Sequence, residues 1–170
     1  FVRDTSNLHV GLFGWIARGT IDGVTLYNAR ISGSINNVGG VVGYNQGTVS
    51  DCYVTGTISG SRSGYIGGVV GENAGTVAKS HSFGRIGADS GSYVGGVVAV
   101  NDSAGVVTEC YSSATVASTT IGAAVGGVVG SNYPTATVEK CYSTGTVTGA
   151  EFGSLGGVVG ENAGYVDSCH

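Results

Sequence analysis

The chain has no methionine, a single proline (Pro134), a single tryptophan (Trp15) and charged side chains at only 11% of its 170 residues. Each shortage removes a class of protein. Collagen needs glycine at every third position beside abundant proline, and the sequence has neither. Disorder needs low hydrophobicity and high net charge, whereas apolar residues make up 41% of the chain and its formal net charge is −4. The seven Lys and Arg are scattered, so the basic patch of a nucleic-acid binder is missing and no nucleic-acid partner is expected. No apolar run approaches the ~20 residues of a membrane-spanning helix. Helix formers are rare, and no window has helical spacing. The chain starts at Phe1 without a signal peptide and stops at His170 within a repeat. It therefore reads as a segment excised from a longer protein, with flanking domains of the same chain as neighbours, and the lack of targeting signals carries no weight.

What the chain has is glycine, 33 residues of it, beside many Val and Ile. Side chains branched at Cβ suit pleated strands, so the composition is that of a β protein. The string GGVVG occurs at 39–43, 67–71, 126–130 and 156–160, with GGVVA at 95–99 and a degenerate Gly11-Leu12-Phe13-Gly14 before them. The offsets between the last residues of successive copies are 29, 28, 28, 31 and 30. Further columns follow at fixed distances. An asparagine stands at Asn45, Asn73, Asn101, Asn132 and Asn162, and a valine at Val49, Val77, Val107, Val138 and Val166. Three residues later come Cys52, Ser80, Cys110, Cys141 and Cys169, then Tyr53, His81, Tyr111, Tyr142 and His170. Ile21 and Val24 occupy the valine and cysteine positions of the first copy.

Each repeat reads as three strands of four to six residues between Gly, Ser, Asn and Thr turns. One such unit has no interior of its own and must stack on its neighbours. The expected fold is all-β: a parallel β-solenoid (β-helix) of about six coils with a repeat near 29 residues. It forms a single repeat domain over 1–170, with coils at approximately 8–36, 37–64, 65–92, 93–123, 124–153 and an incomplete 154–170.

The glycine strings, above all Gly11-Leu12-Phe13-Gly14, together with the Asn-x-Gly-Thr-Val and Cys-Tyr-x-Thr-Gly-Thr-Val segments, resemble the GLUG motif of bacterial surface proteins. The resemblance covers nearly all of residues 8–170. It implies an exported protein at the bacterial cell surface or outside it, of the kind found in filamentous-haemagglutinin-like adhesins and in the accessory regions of immunoglobulin-A-specific metallopeptidases. It carries no catalytic residues to transfer. Copy three departs at Ser80 and Ala99, and copy one lacks both the asparagine and the cysteine, as an edge coil would.

In a parallel stack, carboxamides one above another satisfy each other, so Asn45, Asn73, Asn101, Asn132 and Asn162 are expected to form a structural ladder. Asn101-Asp102-Ser103 has the pattern of a glycosylation sequon, but Asn101 is expected to face inward. Cys52, Cys110, Cys141 and Cys169 have no Cys-x-x-Cys pair to hold a metal ion. They read as a column of small inward hydrophobes, an assignment that Ser80 and Val24 in the same column support. Asp51, Lys79, Glu109 and Lys140 precede that column with alternating sign, which suggests a surface ion-pair ladder. Of the adjacent valines, as in Val41-Val42, one is expected to face outward unless a corner intervenes, giving an apolar stripe. Tyr53, His81, Tyr111 and Tyr142 form a candidate interaction surface.

No nucleophile–base pairing is supported, and Glu72 and Glu161 lie three coils apart, too far to act on one glycosidic bond. The reading is therefore a non-catalytic module without catalytic residues, metal or cofactor. It serves as a rigid stalk or interaction surface for a host or matrix protein or glycan. The alternatives are an accessory region of a surface peptidase and a glycan-binding module using the outward aromatic column.

Overall fold

The computed structural model describes residues 2–4, 8–34, 36–61, 64–90 and 93–170. The chain winds through four parallel sheets, A to D, visited in the same order in each coil. Sheet A holds the long strands Thr25–Gly33, Tyr53–Gly60 and His81–Ala88, preceded by Val2–Asp4. In the last two coils its strands are broken into Tyr111–Ser112 with Thr115–Ser118 and Tyr142–Ser143 with Val147–Thr148. Sheet B contains Gly64–Gly67 and its equivalents, sheet C Val70–Asn73 and its equivalents, and sheet D Thr76–Ala78 and its equivalents, each six strands deep.

Register follows the repeat. Asn73 pairs with Asn45 on one side and Asn101 on the other, Val77 with Val49 and Val107, and His81 with Tyr53 and Tyr111. The extra residue of the first repeat is absorbed by a bulge between Leu26 and Ala29 in sheet A, where Asn28 takes φ 52°. That leaves the pairing of Ile31 with Ile58 undisturbed.

A coil carries four strand runs, where the sequence suggested three. The reason lies in the glycine string, which is a corner and not a strand. Gly39 ends a strand of sheet B, Gly40 and Val41 form the bend, and Val42 opens sheet C. The corner also overturns the expected outward valine stripe. Val41, Val42, Val69, Val70, Val97, Val98, Val128 and Val129 are all fully buried, because the bend turns both side chains of each pair inward.

The corner requires glycine for want of space. A Cβ on Gly96 would lie 1.9 Å from the Gly127 carbonyl oxygen of the next coil and 2.4 Å from Ser112 Oγ. The core inside the four sheets is a stack of like residues: Val38, Ile66, Val94 and Val125 from sheet B, Val49, Val77, Val107 and Val138 from sheet D, and Ile58, Ile86 and Val116 from sheet A. Burial at this density across the inner coils stabilises a unit that no single coil could hold.

Candidate interaction surface

The polar columns inside the rod bond along its axis. Asn45 Nδ2 donates to Asn73 Oδ1 at 2.8 Å, Asn73 to Asn101 at 2.9 Å, Asn101 to Asn132 at 2.9 Å and Asn132 to Asn162 at 2.8 Å. Each Nδ2 also reaches a carbonyl of the next coil, such as Val106 O from Asn73 and Thr137 O from Asn101. Asn45, Asn73, Asn101 and Asn132 are fully buried, so the sequon asparagine Asn101 presents no amide to solvent. Ile16 pairs in register with Asn45 and starts the column with an apolar side chain.

Cys52, Cys110 and Cys141 are fully buried free thiols, and Cys169 is half-buried. Each sulfur approaches the carbonyl two residues back, as Cys110 Sγ does Thr108 O at 3.2 Å and Cys141 Sγ does Glu139 O at 3.1 Å. Ser80 makes the same contact to Ala78 O at 2.8 Å. The column thus takes small side chains, Val24 without a hydrogen to donate among them. Burial pushes the Cys52 and Cys110 thiols up, away from the reactive thiolate, while the hydrogen bond with Cys110 draws Cys141 down. Among the described residues no group of three or more His, Cys, Asp or Glu stands close enough to hold a metal ion.

The charged column before the cysteines turns out to be a conformational feature. Asp51, Lys79, Glu109, Lys140 and Ser168 all take φ between 47° and 52°, and Gly23 of the first coil takes 68°. These residues make the left-handed corner between sheets D and A. No ion pair joins them among the described residues, because the left-handed turn, and not charge pairing, is what the position has in common.

Tyr53, His81, Tyr111 and Tyr142 line one edge of sheet A, half-buried. Their rings stack on each other: His81–Tyr111 at 4.4 Å and 13°, Tyr111–Tyr142 at 4.9 Å and 6°, Tyr142–His170 at 5.5 Å and 10°. Tyr53 meets His81 at 4.8 Å in a tilted contact. From His81 to His170 the ring faces are taken up by their neighbours along the axis, which leaves less of them for sugar stacking.

A second aromatic group, absent from the repeat pattern, lies where sheets B and C meet. His9 stacks on Tyr44 at 5.4 Å, Trp15 on Tyr44 at 6.5 Å, and Tyr65, Tyr93 and Tyr133 meet edge to face. Glu72 stands among them, taking a hydrogen bond from Asn37 Nδ2, and burial holds its carboxyl above the usual carboxylate range. Glu72 and Glu161 are separated in their column by Val100 and Ser131, so they form no carboxylate pair. No helix is long and apolar enough to cross a membrane among the described residues.

These features define a repeat module of the parallel β-solenoid class. The chain carries the GLUG motif, whose family model matches residues 34–59 and 121–148. A similar solved structure is the crystal structure of a "putative immunoglobulin A1 protease" from Bacteroides ovatus, at a TM-score of 0.85 and 23% sequence identity. The match covers 99% of this chain and 56% of that one, so the chain spans little more than half of that protein's length. At this identity the likeness is one of fold. No curated protein sequence matches the chain.

Proposed function

We propose that this chain is a non-catalytic spacer module of an exported bacterial surface protein, a rod that holds its flanking parts at a fixed distance. The observation that carries this reading is the unbroken axial register. Every inner coil repeats the same buried valines and the same asparagine contact, so a bend at any one coil would open several hydrogen bonds and the core together. Length in such a fold grows by one strand spacing per coil.

Small-angle scattering tests the rod directly. A variant with residues 37–92 duplicated, two coils inserted in register, should lengthen by roughly 10 Å without gaining thickness. An unchanged maximum dimension with a larger cross-section would refute the spacer. Exposure at the cell surface is tested by protease shaving of intact cells, which should release peptides of this segment.

The fold likeness to a protein called an immunoglobulin A1 protease supports a second reading, an accessory region of a surface peptidase. Both readings predict that the purified chain leaves immunoglobulin A intact. Cleavage would overturn the non-catalytic assignment in either.

A further inference from the structure

The outer face of sheet A carries two of the chain's arginines in one column. Side chains alternate in and out along its strands, and Thr55, Thr57 and Ser59 face outward from Tyr53–Gly60. Arg30 and Arg85 pair in register with Thr57 on either side, and Thr115 continues the column beyond Arg85. Two arginines thus bracket one threonine, their Cα atoms roughly 9–10 Å apart at two strand spacings. Both are exposed, and neither meets a carboxylate among the described residues. In a chain of net charge −4, this is a cationic strip with no acid in its own column.

The ground beside each arginine is shallow and mixed, with serine and threonine hydroxyls set among apolar atoms of Ile31, Ile58, Ile86 and Ala117. One groove runs along Thr57, Ser59, Arg85, Gly87, Thr115 and Thr119, deepened because Gly87 stands where neighbouring coils carry Ser59 and Ala117. The other runs along Arg30, Ser32, Thr57 and Ser59 and shares the central strand with the first. Asp89 closes the far end of the first groove. Beside Arg85, Phe83 is 55% exposed and its ring has no aromatic partner among the described residues.

We infer that this face is a binding site for an anionic polysaccharide, with Arg30 and Arg85 each holding a sulfate or carboxylate of the glycan. Serine and threonine hydroxyls meet its sugar hydroxyls, and Phe83 packs against a ring face. A peptide fits less well. The central strands of sheet A are paired on both sides, which leaves no edge to extend, and the grooves offer no deep apolar pocket for an anchoring side chain. A nucleic acid would demand more cations than this face holds. The site does not depend on the spacer reading, since a module can bind glycans whether or not it sets a distance.

Binding of the intact chain to immobilised heparin and to polygalacturonate tests the inference, with dextran, poly-glutamate and single-stranded DNA as competitors of other chemistry. The wild type should bind at least one anionic glycan at low salt, and salt should weaken the binding. Arg30→Ala and Arg85→Ala should each weaken it by about tenfold. Thr57→Glu, which places a carboxylate between the guanidiniums, should abolish it, and Arg18→Ala, an exposed arginine elsewhere, should leave it unchanged. All four are surface changes, and unchanged circular dichroism shows that each variant is folded. The inference falls if neither anionic glycan binds, if Arg18→Ala weakens binding as much as Arg85→Ala, or if poly-glutamate or DNA binds as tightly as the glycans.

Discussion

At the residue scale, the polar side chains inside the rod satisfy one another from coil to coil. Asn101 Nδ2 shares its two hydrogens among Asn132 Oδ1, Gly105 O and Thr137 O, while its Oδ1 accepts from Asn73. Asn101→Ala deprives buried groups on both neighbouring coils of a partner, and should cost about 2 kcal/mol or more. Asn162→Ala, at an exposed site, should cost less than about 1 kcal/mol. Urea midpoints distinguish the two, and equal shifts would mean that the ladder adds nothing beyond the loss of side-chain volume. Glu72 behaves differently with pH. Folding raises its pKa through burial, so the folded chain holds the proton more tightly than the unfolded one. The carboxyl favours folding below its unfolded pKa of about 4.3 and opposes it as pH rises through the folded value. Glu72→Gln should therefore raise the melting midpoint at pH 7 by about 1–3 °C, a gain that shrinks towards pH 4. A gain that grows on acidification would contradict the burial argument.

At the scale of the element, the corner decides more than the strand does. The glycine string recurs in every coil because Gly68, Gly96 and Gly127 lie against a carbonyl oxygen of the next coil, at 2.0, 1.9 and 2.0 Å from an added Cβ. Gly157 holds the same position in the last coil and has nothing within 4 Å. Gly96→Ala should thus destabilise the chain by more than about 3 kcal/mol or prevent folding, whereas Gly157→Ala, in the isolated 170-residue chain, should change stability by less than about 1 kcal/mol. Thermal melts by circular dichroism compare them, and similar losses would show that the glycine answers to local conformation and not to the neighbouring coil. The register of all four sheets was legible in the sequence, since residues in corresponding positions of successive copies, such as Val77 and Val107, are the ones that pair. The corner was not. Two adjacent valines read equally well as one strand with two faces or as a bend with both side chains inward, and only the path of the backbone separates these. The alternating Asp51, Lys79, Glu109 and Lys140 misled in the same way, because the left-handed φ they share leaves no mark in charge. The Trp15–Tyr44–His9 stack and the Arg30–Thr57–Arg85 strip were invisible to a search for repeats, since each breaks its column.

For the whole molecule, stability is a sum of coil and interface contributions, so it must vary along the rod. The asparagine ladder has a direction, each Nδ2 donating towards the following coil. At its start the column closes on Ile16, which has no polar group to satisfy, and Val10 in the same coil is buried. In the last coil Leu155 is 50% and Val166 39% exposed, Val159 is half-buried, and Asn162 is open to solvent. The first coil is open as well, with Leu12 46%, Phe13 42% and Trp15 59% exposed, so opening of the isolated 170-residue chain should begin at its end coils and proceed inward. Native-state hydrogen exchange should show the strongest protection for Val70–Asn73 and Val98–Asn101, less for Val129–Asn132, and least for Val159–Asn162 and Tyr165–Asp167. A single protection factor shared by all five segments would mean that the rod opens all at once, and that the coils are not separable units of stability.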